Sequence, residues 1–324
     1  MGRNGHSVRL VFLGTPRAAV PSLAALVAQG HDVRLVVTRP DRPQGRSARP
    51  VPSPVGRAAV ELGIEVQRPA QVKVREFTEE LARHRPELLV VVGYGCLLPA
   101  SVLSVAPAGA INVHFSMLPA YRGAAPVQWA LVNGERRTGV TTMKISERLD
   151  EGDILMQQEL EIQDGEHAPA LADRLADTGA ELLVRTVREW VAGNLVGRPQ
   201  DPARATYAPR LGVADGEVDP VLRAAEIAGR IRGFDPWPGV WLGRGSLRVR
   251  LVEGEDTGRV DRTAVPGQVL ELEDSALVVA CGAGTLLRVT RIQPAGRRVL
   301  TARDAVNGRQ LRPGDRLVRL GAGR

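Results

Sequence analysis

Asn112 and His114 stand one residue apart in "INVHFSMLPAYRGAAP" (111–126). In an extended strand residues i and i+2 share a face, so the amide and the imidazole project together while Val113 faces the other way. A structural asparagine beside a satisfied core histidine leaves the same trace, so the pair alone specifies no reaction. "ERLDEGDIL" (147–155) adds Asp150, two residues before Gly152, in a turn between two strands that follow the Asn-x-His strand. An amide, an imidazole and a carboxylate converging on one crevice suit acyl-type transfer to an amine. As the amine attacks a carbonyl, an oxyanion develops; Asn112 can donate a hydrogen bond to it, and a protonated His114 can donate another. The amine must also lose a proton, which His114 can move while Asp150 holds the ring. No serine or cysteine stands in a nucleophile motif, and this scheme needs none.

Such a site needs a scaffold, and the hydrophobic runs supply one. "VRLVFLG" (8–14), a helical stretch from Pro21 to Gln29 and "DVRLVVT" (32–38) form a strand–helix–strand unit, which implies parallel pairing. "ELLVVVG" (87–93) is the unbroken apolar run of a strand covered on both faces. "GAINVHF" (109–115), "GVTTMKI" (139–145), "ILMQQELEI" (154–162) and a long amphipathic helix over 168–192 follow. The expected fold is α/β: an open, mostly parallel sheet flanked by helices. Asn112 and His114 then sit at the C-terminal end of a strand, the edge where such sheets hold ligands. Residues 116–126 would wrap the site, with Gly123 permitting close backbone approach. "GTPRAA" after the first strand is not a dinucleotide fingerprint, and no acidic residue ends the second strand, which argues against a Rossmann dehydrogenase.

Residues 1–192 are therefore expected as the catalytic domain. Residues 193–208, rich in Pro, Gly and polar residues, read as a linker. Over 209–324 comes one helical patch (224–234), then short strand-like runs punctuated by Gly, Pro and Asp, the pattern of a small OB-like β-barrel. About five excess positive charges fall in this part. The net charge of the whole chain is +7, carried almost wholly by arginine: Lys73 and Lys144 are the lysines. An anionic partner or a GC-rich genome accounts for that equally well. "TRPDRPQGRSARPVPSP" (38–54) sits where a βα loop of about two to six residues is usual. It carries Arg39, Arg42, Arg46 and Arg49, and its prolines keep it out of helix and strand. It reads as a solvated loop or as an arm reaching phosphates beside the sheet edge. Cys96 and Cys281 fit no metal or redox spacing; both lie in apolar runs, read as buried thiols of a reduced, cytoplasmic protein. No stretch is apolar and long enough to span a membrane.

Five segments resemble one family: "LVFLGTPRAAVPSL" (10–23), "RPDRPQGR" (39–46), "INVHFSMLPAYRGAAPVQWALVNGE" (111–135), "LDEGDIL" (149–155), and "TYAPRL" with "RIRGFDPWPGVW" (206–211, 230–241). The Asn-x-His-x-Ser-x-Leu-Pro segment is similar to formyltransferases that use 10-formyltetrahydrofolate, and the arginine loop with "FDPWPG" narrows the resemblance to those acting on methionyl-tRNA. The resemblance implies transfer of a formyl group from 10-formyltetrahydrofolate to the α-amine of initiator methionyl-tRNA. It implies Asn112, His114 and Asp150 as the catalytic three, and Ser116, Met117, Leu118 and Pro119 as folate contacts. Arg39, Arg42 and Arg46 fall in the loop that meets tRNA. It implies no metal, a monomer, and tRNA contact from the C-terminal barrel. Phe115, Met117 and Ala120 depart from the residues common in the family; none is among the catalytic three. The alternative of the same fold takes a small amine, such as a nucleotide-linked amino sugar or glycinamide ribonucleotide. A non-catalytic RNA-binding protein is the third reading, against which the retained Asn112, His114 and Asp150 stand.

Overall fold

A computed structural model of the chain describes residues 7–43 and 50–321. They gather into two compact units, one comprising residues up to 126 with 137–161 and 172–208, the other 127–136, 162–171 and the chain from 209 onward.

In chain order the elements before residue 209 begin with β1 (Arg9–Gly14), α1 (Val20–Ala28), β2 (Asp32–Val37), β3 (Arg42–Pro43), β4 (Pro50–Val51), α2 (Pro54–Glu61), β5 (Val66–Gln67) and α3 (Arg75–Arg83). They continue with β6 (Leu88–Val92), α4 (Ala100–Leu103), β7 (Ala110–His114), β8 (Arg122–Gly123), α5 (Pro126–Val132), β9 (Arg137–Lys144), β10 (Ile154–Glu161), α6 (Ala168–Val191) and β11 (Tyr207–Ala208). The main sheet runs β10-β9-β7-β6-β1-β2-β5. Its five strands from β7 to β5 are parallel; β9 lies antiparallel to β7, and β10 to β9. This is the open, mostly parallel sheet expected from the apolar runs. β6 is buried along its whole length, and β1 is buried from Leu10 onward. That is why these runs lack polar alternation. Strand order reverses direction between β1 and β6, the switch point beside which α/β sheets bind ligands.

On β7 the expected alternation is observed. A Cβ on Gly179 of α6 would stand 3.1 Å from Val113 and 3.3 Å from Phe115, so those two side chains face the helix. Asn112 and His114 are left for the opposite face. The C-terminal turn of α6 is pinned by Trp190, whose Nε1 donates to the Ala108 carbonyl at 2.9 Å.

Three expectations are corrected here. The arginine loop is not wholly irregular: Arg42–Pro43 pairs antiparallel with Pro50–Val51, and Pro54 opens α2, where the Ser53 hydroxyl caps the helix by accepting from the Gly56 amide. Proline is compatible with a short edge pairing and with a first helical position, where no backbone bond is lost. Arg46 and Arg49 lie outside the described residues. Cys96 is exposed, although Cys281 is buried as expected. The apolar run around Cys96 leaves the sheet after Val92, so the thiol belongs to the loop beyond β6. Residues 193–208, read as a linker from composition, pack within the first unit. Arg198 exchanges backbone hydrogen bonds with Ile154, and β11 pairs with β8.

The second unit adds α7 (Ala224–Gly233), β12 (Val240–Arg244), β13 (Leu247–Val260), β14 (Val269–Glu273), β15 (Ala276–Ala280), β16 (Thr285–Pro294), β17 (Leu300–Thr301) and α8 (Ala302–Asn307). The antiparallel order is β12-β13-β16-β15-β14, with β17 on β16. Bulges along β13 bend it. The bridges Gly243–Val318 and Gln268–Arg316 lay the C-terminal segment between the two free edges, giving a small barrel. Its core joins Val249, Leu251, Leu287, Val289 and Ile292 to Ile227 and Ile231 of α7. β12 and β17 were not foreseen, being short and interrupted by glycine or adjoining a helix.

Candidate active site

A cavity of about 470 Å³ opens at the C-terminal edge of the sheet, where the loops after β1 and β6 meet the end of β7. That volume is in the range of small-molecule sites. Its wall includes Pro16, the loop Gly93–Leu98, Asn112 to Phe115, Gly123, Ala124 and Ile145, and it includes Asp150. The lining is mostly aliphatic, with a few polar groups brought together by β7 and by the loop after β9. Tyr94 is 1% exposed, and its hydroxyl finds no partner. Burial first, then the neighbouring Cys96, pushes its phenol up to about 12.

His114 is 6% exposed and still reaches the cavity. Its Nε2 lies 2.9 Å from the Tyr121 carbonyl oxygen. A carbonyl only accepts, so Nε2 carries the proton of the neutral ring and Nδ1 keeps its lone pair. Nδ1 is 3.7 Å from Oδ2 of Asp150. The Tyr121 main chain thus supplies the hydrogen bond that orients the imidazole, while Asp150 faces its other nitrogen at ion-pair distance. The same Oδ2 accepts from the Gly123 amide at 2.9 Å.

Asp150 reaches this position through a tight turn. Its own φ is 52°, a left-handed conformation that aspartate tolerates better than most residues. Two residues on, a Cβ at Gly152 would land on the Lys144 carbonyl oxygen, so only glycine fits. Gln200 holds the turn from outside. Its Nε2 donates to the carbonyls of Asp150 and Gly152, each at 2.8 Å. Its Oε1 accepts from Nε and Nη2 of Arg122, at 3.0 and 2.8 Å. Arg122 is 4% exposed and also pairs with Glu151 at 3.2 Å.

The structure thus brings Asn112, His114 and Asp150 to one wall. Ser116, Met117, Leu118 and Pro119 do not line the cavity. The Thr141 hydroxyl donates to the Ser116 carbonyl and accepts from the Leu118 amide, and Gln157 donates to the Leu118 carbonyl. These bonds draw the segment back onto β9 and β10, so the expected wrap is made by Gly123, Ala124 and Pro126 alone. Arg39 is half-buried, donating from Nη1 to Cys96 Sγ at 2.9 Å, and Arg42 is exposed on β3. Sequence reasoning missed Tyr121, whose contribution is main chain, and Gln200, which "GRPQDP" hid in what read as a linker.

The sequence matches the family described as "Formyl transferase" over residues 8–187, and "Formyl transferase, C-terminal domain" over 210–310. It is 45% identical to the methionyl-tRNA formyltransferase of Koribacter versatilis, over 96% of this chain and 99% of that one. Among solved structures it is similar to an N-formyltransferase from Helicobacter canadensis in complex with folinic acid and dTDP-3-aminofucose. There the TM-score is 0.64 at 16% identity, over 87% of this chain and 98% of that one. It is also similar to HypX from Aquifex aeolicus in complex with tetrahydrofolic acid, with a TM-score of 0.62 at 17% identity over 93% of this chain. The chain spans 47% of that longer protein. At these identities the structural likenesses concern the fold alone.

Proposed function

The chain belongs to the formyl transferase family, among the methionyl-tRNA formyltransferases, and on that premise we propose that it moves the formyl group of 10-formyltetrahydrofolate onto the α-amine of initiator methionyl-tRNA. The observation that carries the chemistry is the His114 ring, fixed through Nε2 with Nδ1 turned to Asp150 in a cavity at the sheet's switch point. The methionyl amine attacks the formyl carbon, and the carbonyl electron pair moves to oxygen. Asn112 donates to that oxyanion. Nδ1 of His114 takes the amine proton, the Asp150 carboxylate balances the imidazolium, and the proton passes to N10 of the folate as the bond from N10 to the formyl carbon breaks. The products are N-formylmethionyl-tRNA and tetrahydrofolate.

The wall from Gly93 to Leu98 suits a flat heterocycle, and Ser116–Pro119, held on β9 and β10 outside the cavity wall, are proposed to contribute to folate binding. Arg42 is an exposed cation among the described residues of the arginine loop and meets tRNA phosphate, with Arg46 and the less accessible Arg39 as its neighbours in sequence. The first unit, which includes residues 193–208, carries the catalysis, and residues 209–324 add tRNA contact. On this reading the enzyme works as a monomer in the cytoplasm without a metal. Among the described residues no helix is long and apolar enough to cross a membrane.

A formylation assay tests the proposal. Charged initiator tRNA is offered with a nucleotide-linked amino sugar and glycinamide ribonucleotide as competitors, and formyl label is expected on the tRNA. Label on a small amine with the tRNA ignored would transfer the site to the alternative acceptor class.

A further inference from the structure

Both groups that face the His114 ring are held by one segment that forms no part of the cavity wall. Tyr121, whose carbonyl fixes Nε2, donates its own amide to Thr206 Oγ1 at 2.8 Å. Asp150, opposite Nδ1, has its turn carbonyls capped by the Gln200 side chain. Thr206 and Gln200 lie on a strap, residues 198–208, fastened at both ends: Arg198 exchanges hydrogen bonds with Ile154 at 2.8 and 2.9 Å, and the Ala208 carbonyl accepts from the Ala124 amide at 2.9 Å. The Gln200 amide is saturated, its two N–H groups on two carbonyls and its oxygen on the Arg122 guanidinium. Because guanidinium only donates and a backbone carbonyl only accepts, just one orientation of the amide fits. No other neutral side chain of this length offers two donors and an acceptor at these positions.

We propose that Gln200 is a positioning residue for formyl transfer, setting the place of the Asp150 carboxylate against Nδ1 of His114 through the 150–152 turn. It stands outside the wall of the cavity that holds His114 and Asp150, so its effect is expected on the chemical step and not on donor binding. The inference rests on the proposed catalytic roles of His114 and Asp150.

The discriminating replacement is Gln200→Glu. It keeps size and the Arg122 contact but turns an oxygen toward the Asp150 and Gly152 carbonyls, so it repels the turn that glutamine holds. Gln200→Leu removes both sets of bonds. The wild-type chain is assayed first with charged initiator tRNA and with the small amines; failure to transfer formyl to any of them sinks the functional reading itself. The remaining measurements use whichever acceptor the wild type formylates. The expected result, measured well below each variant's thermal midpoint, is a kcat lower by about tenfold or more in both variants with the donor KM close to wild type. Gln200→Glu is expected to fail to rescue despite its shape. An unchanged kcat in either variant overturns the proposal. So does a raised donor KM at constant kcat, which would make Gln200 a substrate contact. A loss of kcat that only tracks a fallen thermal midpoint overturns it too, since Gln200 would then be a strut.

Discussion

His114 and Asp150 face each other across a gap too long for a hydrogen bond, 3.7 Å from Nδ1 to Oδ2, while the ring's other nitrogen is tied at 2.9 Å to the Tyr121 carbonyl. The ring is thus oriented without using the nitrogen proposed to take the amine proton. The carboxylate is fixed independently by the Gly123 amide, so neither partner needs the other for its placement.

Removing either side chain should therefore damage turnover and little else. His114→Ala should lower turnover by about 10²–10⁴-fold, the usual worth of a placed acid–base group. Asp150→Asn keeps an oxygen for the Gly123 amide but loses the charge, and should lower kcat with the fold intact. Single-turnover formylation and filter binding of charged tRNA check both; tRNA affinity is expected to stay near wild type. A His114→Ala chain that formylates at the normal rate would remove the imidazole from the mechanism.

Gly152→Ala probes the turn by crowding. The added methyl meets the Lys144 carbonyl oxygen, which belongs to the end of β9 and cannot swing away as a side chain would. Overpacking of this kind costs about 1–3 kcal/mol. A drop of several degrees in thermal midpoint is expected, together with a fall in kcat because Asp150 is carried on the same turn. Differential scanning fluorimetry and steady-state kinetics on one preparation measure the two.

Much of this was legible in the sequence, and the limits have physical causes. The parallel strands announced themselves because burial on both faces writes an unbroken apolar run, as in Leu88–Val92. The shared face of Asn112 and His114 followed from the two-residue period of a strand. Residue types could not report Tyr121, because its contribution is a main-chain carbonyl that any residue would offer. Gln200 was hidden because the prolines and glycines around it describe a chain without regular structure, which is not the same as a chain without contacts. The placement of Ser116–Pro119 depends on the Thr141 hydroxyl, a partner about two dozen residues away that no local pattern marks.

Arg42→Ala should act on tRNA alone. Arg42 is exposed on β3, outside the cavity wall. Loss of one phosphate contact should weaken tRNA binding and reduce the slope of log K against log salt by about 1. Donor KM should not move. Titrations of charged tRNA at several salt concentrations read the slope directly, and an unchanged slope would take Arg42 out of the interface.

The two cysteines and Tyr94 give a prediction in which exposure and pH separate cleanly. Burial pushes the Cys281 thiol up to about 12, whereas Cys96 is exposed on the cavity wall. A thiol-specific disulfide reagent at neutral pH should label Cys96 alone, and Cys281 only after denaturation. Labelled Cys96 occupies the cavity, so donor binding should fall and a bound folate analogue should protect the thiol. At high pH the sign is fixed by which state holds its proton. Folded Tyr94 and Cys281 both stay protonated to about 12, above their unfolded values near 10 and 9, so the stability they contribute is complete below those values and is lost as pH rises through about 12. Tyr94→Phe lacks the ionising hydroxyl, so its urea midpoint should decline less steeply than that of the wild type above pH 10. Parallel declines would show that the Tyr94 phenol ionises in the folded chain as freely as in the unfolded one, contradicting its burial against Cys96.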